Sequence, residues 1–94
     1  MHVRVVRFTD VTAGQMEAVL GRIKESGGPP PGVPAKRLTV FFDEAQGTAV
    51  VIQHFATAED MNAGAQALGA MDSSETPGVR ASVDSCEVKL ELDV

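Results

Sequence analysis

The sequence contains neither tryptophan nor tyrosine, and its four phenylalanines are its whole aromatic complement. Without those rings, and with 8 Lys and Arg against 13 Asp and Glu, it is poorly equipped to hold nucleic acid. Base stacking needs aromatic faces, and release of counterions from phosphate needs a cationic surface. A net charge of −5 with no basic cluster also argues against an anionic membrane surface. Cysteine occurs once, at Cys86, which excludes an internal disulfide and a multi-cysteine metal site. Cys86 stands in the alternating stretch "SCEVKLEL" and is expected at a packed strand position, as a small hydrophobe rather than a reactive thiol. His2, His54, Cys86 and the carboxylates show no metal-ligand spacing, so neither a metal nor another cofactor is expected. No run approaches the ~20 apolar residues that span a bilayer. "MHVRVVRFTD" lacks the apolar core and cleavage site of a secretion signal, so a cytoplasmic location is expected.

What is present is a regular succession of elements within 94 residues, enough for one domain. "HVRVVRFT" reads as a first strand. Thr12 and Gln15 have capping-box spacing, and Met16, Val19, Leu20 and Ile23 recur with helical period up to about Ser26. "GGPPPGVP" reads as a stiff connector. "KRLTVFFD" and "TAVVIQHF" flank the short turn "EAQG" and must form an antiparallel hairpin, with Asp43 opposite Thr48. Thr57 caps a second helix whose apolar side is Met61, Ala65, Leu68 and Met71. Gly64 and Gly69 weaken that helix unless they allow close approach to the sheet. "DSSETPG" is a loop and "VRASVDSCEVKLELDV" supplies the last strand, irregular in its first part, where Arg80 reads as a loop residue, and alternating cleanly at Val88, Leu90 and Leu92.

The order β-α-β-β-α-β, with right-handed crossovers, gives a ferredoxin-like α+β fold: a four-stranded antiparallel sheet ordered 4-1-3-2 with both helices on one face. Strand alternation splits the side chains into two sets. Assigning Val3, Val5, Val50, Ile52 and His54 to the helices leaves Arg4, Val6, Phe8, Leu38, Val40, Phe42, Val51, Gln53 and Phe55 on the open face. Such a patch is larger than a soluble monomer normally exposes, and a second copy meeting it sheet to sheet is expected to cover it.

"VRVVRF" followed by "TAGQMEAVL", then "QHFATAEDM" and the closing "SVDSCEVKLEL", resembles the dimeric α/β-barrel superfamily, in particular proteins like the antibiotic-biosynthesis monooxygenases. The resemblance spans nearly the whole chain and implies a homodimeric barrel acting on an aromatic or polyketide-like compound. Where that family commonly has asparagine on strand one and tryptophan at the end of strand three, this sequence has Val6 and Phe55. The helix-two histidine of the haem-degrading members is also lacking. Haem degradation is therefore not expected, and oxygenation by the familiar residue set is put in doubt. His2 resembles the strand-one histidine of related stress-responsive barrels and polyketide cyclases.

The residues themselves give a ligand-binding set of Arg4, Phe8, Gln53 and Phe55: an apolar space with two polar groups that fit a carboxylate, phenolate or enolate oxygen. The alternative is that Arg4 reaches the rim and Gln53 joins the dimer contact. His54 has acid-base chemistry near neutral pH and is the one catalytic candidate, but a structural histidine facing the helices is the favoured reading. Three functions stand side by side: a cofactor-independent monooxygenase or cyclase, a non-catalytic ligand-binding or sensing module, and a structural dimer with a filled barrel. An apolar or aromatic small molecule is the expected ligand of the first two.

Overall fold

Alternating valines carry β1 (His2–Thr9) through the middle of the sheet. In the computed structural model, which describes residues 1–27, 32–69 and 78–93, it is followed by α1 (Ala13–Ser26), β2 (Arg37–Asp43), β3 (Thr48–Phe55), α2 (Ala58–Gly69) and β4 (Val79–Glu87). The strands pair antiparallel in the order β2-β3-β1-β4, the topology expected from the sequence. Asp43 lies opposite Thr48, as the short hairpin requires. Its carboxylate accepts from the Gln46 backbone and side chain at 3.2 and 2.7 Å. Among the described residues no helix is long and apolar enough to cross a membrane.

The caps hold as read. Thr12 accepts from the Gln15 amide at 3.2 Å while the Gln15 side chain accepts from the Thr12 amide at 3.0 Å. Gly27 ends α1 in the left-handed conformation, φ 78°. On α2, the Asp60 amide donates to the Thr57 hydroxyl at 3.1 Å, and Glu59 and Asp60 sit in the first turn, where the helix dipole favours acids. Gly64 permits close packing: a Cβ there would lie 2.8 Å from the Phe55 ring. The Leu68 side chain, Met71, residues 28–31 of the proline segment and residues 72–77 of the following loop lie outside the described residues.

The two side-chain sets are right, but the helices cover the opposite one. Val6, Phe8 and Ala49 pack with Met16 of α1, joined at the margin by Leu20, Val40, Phe42 and Val51. Phe55 packs with Val33 and Met61. The supposed open face is thus the core. Val3, Val5, Phe41, Val50, Ile52 and His54 form the face left open, with Phe41 53% exposed. The physical reason is volume: the bulkier set, with three of the four phenylalanines, fills the space beneath the helices, and the valine-rich set is flat enough to leave exposed.

The last strand is irregular in its first part, as expected, but ends earlier than its alternation suggests. Its regular part is Val79–Glu87, interrupted where the pairing shifts between Arg7 and Phe8. Arg80 therefore lies on a strand, opposite Phe8, rather than in a loop. Pairing with β1 ends where the Val88 amide donates to the Met1 carbonyl at 3.0 Å, so Leu90 and Leu92 run past β1 and are 75% and 70% exposed. Cys86, expected to be packed, is exposed opposite Val3 because β4 is exposed along its whole length.

Candidate functional site

Arg4 and Gln53 are direct cross-strand partners, and both are buried, at 6% and 5% exposure. The Arg4 Nη1 donates to Gln53 Oε1 at 3.2 Å. The buried Nε has no partner, and no carboxylate pairs with the guanidinium among the described residues. Burial lowers the Arg4 pKa, and the nearby Arg80 lowers it further. Even so, a guanidinium stays protonated at neutral pH. A cation held out of water by one neutral amide is costly, because nothing nearby compensates its lost hydration.

This pair occupies one row across the covered face: Leu38 on β2, Gln53, Arg4, then Ser85 on β4. The neighbouring row places Phe55, His2 and Glu87 together. Because Ser85 and Glu87 are exposed, the polar pair lies one strand in from an open margin. Arg80 approaches from that margin and shares the face through its pairing with Phe8. The covered face thus combines apolar walls with two cations, an amide and a histidine, with the exposed Glu87 carboxylate at its margin, and around Arg4 it suits an oxyanion on an apolar molecule.

The structure brings together Arg4, Gln53 and Phe55 from the expected ligand-binding set, but beneath the helices rather than on the open face. Phe8 lies four residues further along β1 than Arg4, packed with Val6 and Met16. Phe55 is wholly buried, its ring against Gly64 and Val33. His54 is placed on the other face of the sheet, contrary to expectation. It is half-buried and lines a cleft of about 270 Å3 with Met1, Lys36, Arg37 and Glu91. Its own carbonyl accepts from the Lys36 amide at 2.7 Å. Among the described residues, no group of three or more His, Cys, Asp or Glu is placed to hold a metal ion.

Sequence reasoning passed over Ser85 and the site-side position of Arg80. The signal available was parity: Arg4 and Arg80 can share a face only through the shifted pairing at Arg7 and Phe8, which no local pattern announces. No known protein-family model matches the chain, and comparison with curated proteins finds no match.

Proposed function

We propose that this protein binds a small, largely apolar molecule through one oxyanion, received by Arg4 with Gln53 holding the guanidinium in place. The carrying observation is the buried cation with an unpartnered Nε and, among the described residues, no counter-charge. A carboxylate, phenolate or enolate entering beside Arg4 would supply both, and a charge-assisted bond in such a place contributes ~1.5–3 kcal/mol. The resemblance to the antibiotic-biosynthesis-monooxygenase-like barrels supports an aromatic or polyketide-like body for the ligand.

The working unit is a homodimer formed through the open face, where Val3, Val5, Phe41, Val50 and Ile52 make a continuous apolar strip. The exposed Leu90 and Leu92 of the carboxy-terminal arm give a second copy further apolar surface to cover. A cytoplasmic setting suits the single free cysteine.

A cyclase or cofactor-independent oxygenase is the second reading. It is favoured by His2, which shares the face and strand of Arg4 two residues away. An arginine that stabilises an enolate beside a histidine able to take the proton is a workable acid-base pair. The test is mass spectrometry of small molecules released on denaturing the purified protein. An anionic aromatic compound carried by the parent and lost in Arg4→Met supports the reading. Retention of the same compound by the variant overturns it.

A further inference from the structure

A second site lies apart from Arg4. Between the carboxy-terminal half of α1 and β2 is a cleft of about 530 Å3, within the ~300–1,000 Å3 range of small-molecule sites. Leu20 and Ile23 form its helix wall, and Leu38 and Val40 form its sheet wall. Its rim carries Lys24, Lys36 and Arg37, and among the described residues no carboxylate lines it. Three of the chain's eight cations therefore border one apolar cleft in a protein of net charge −5, two of them, Lys36 and Arg37, standing between it and the His54 cleft that holds Glu91. Carbonyls at the end of α1 would oppose an anion, but those of Ile23 and Lys24 already accept hydrogen bonds. The Gly27 amide donates to Ile23 and Lys24 carbonyls at 3.1 and 3.3 Å, and the Ser26 hydroxyl donates to Ile23 at 3.0 Å.

We infer that this cleft binds a small amphipathic monoanion, its apolar body between α1 and β2 and its head among Lys24, Lys36 and Arg37. The charge pattern selects the occupant. A neutral apolar molecule would use the walls and gain nothing from the rim. A peptide of mixed charge would meet three cations with no acid to pair its own. The head stays near solvent, so each cation adds modestly, and the apolar walls supply most of the affinity.

The test is titration of the full chain with octanoate, and with 1-octanol as the neutral molecule with the same body, followed by backbone amide chemical shifts. Octanoate should move the amides of Leu20, Ile23, Leu38 and Val40 in a saturable manner, and octanol should bind about tenfold more weakly. Lys24→Gln with Lys36→Gln should weaken octanoate by about the same factor and leave octanol unchanged. Both lysines are exposed, so thermal melts should not move. Arg4→Met should leave octanoate binding intact, so failure of the Arg4 reading and failure of this one register separately. Equal binding of octanoate and octanol, full octanoate affinity in the double variant, or shifts clustered away from α1 and β2 would overturn the inference.

Discussion

Replacing Arg4 with methionine and Gln53 with leucine together should leave the unliganded protein at least as stable as the parent, although two buried polar side chains are lost. The exchange removes one hydrogen bond of 3.2 Å with a charged donor, which contributes ~1.5–3 kcal/mol. It also removes an unsatisfied Nε, a cost of ~1–3 kcal/mol, and a desolvated guanidinium whose cost is several kcal/mol. The net expectation is a gain of about 1–2 kcal/mol, which at ~4–8 °C per kcal/mol is readable in a thermal melt. Gln53→Leu alone should lower stability by ~1.5–3 kcal/mol, since it leaves the charge with no partner at all. Comparing the two single variants with the double one gives a coupling energy that isolates the pair. The pKa direction agrees: folding disfavours the charged form, and that cost persists through neutral pH, relieved only in strongly alkaline solution. A double variant more than about 1 kcal/mol less stable than the parent would show that the guanidinium holds the fold together, and would refute the reasoning.

Gly64→Ala should destabilise by ~1–3 kcal/mol in urea unfolding, because its Cβ would meet the Phe55 ring at 2.8 Å; an unchanged midpoint would contradict that packing. Thr12→Ala should cost ~1 kcal/mol through loss of the capping box, also read by denaturant unfolding. Sedimentation at micromolar concentration should give twice the chain mass of 9.9 kDa, and Ile52→Asp on the open face should return it to a single chain. A parent that sediments as a single chain would remove the dimer. Titration with haem should produce only weak, non-specific spectral change, since α2 has no histidine; a stoichiometric histidine-ligated spectrum would implicate His2 or His54.

Strand periodicity, capping residues and the short hairpin made the fold legible, because each is a local signal. Thr12 with Gln15, Thr57 with Asp60, and Asp43 opposite Thr48 all act within a few residues and all stand as read. That Arg4 and Gln53 share a face was also read from alternation, but the register between β1 and β3, which makes them direct partners, is set by no local signal. Which face the helices cover was not legible from parity, because alternation divides a strand without saying which half is buried. Two features carried the missing information: the larger side chains on one set, and Gly64, whose missing Cβ on α2 leaves room for an aromatic ring beneath it. The irregular first part of β4 was anticipated, but its end was not: "VKLEL" alternates perfectly as a sequence, yet runs past the start of β1 and finds no residue there to pair with.

The buried, unpartnered Arg4 Nε–H offers the most direct test of the central claim. In 15N-labelled protein its resonance can be followed during titration with 1-naphthoate, with neutral naphthalene-1-carboxamide as the control. The account predicts a saturable downfield shift with the carboxylate, as the Nε–H acquires an acceptor, together with slower exchange of that proton. The carboxamide should leave it largely unmoved. A resonance that stays fixed while naphthoate binds elsewhere on the protein would contradict the claim that Arg4 receives an oxyanion.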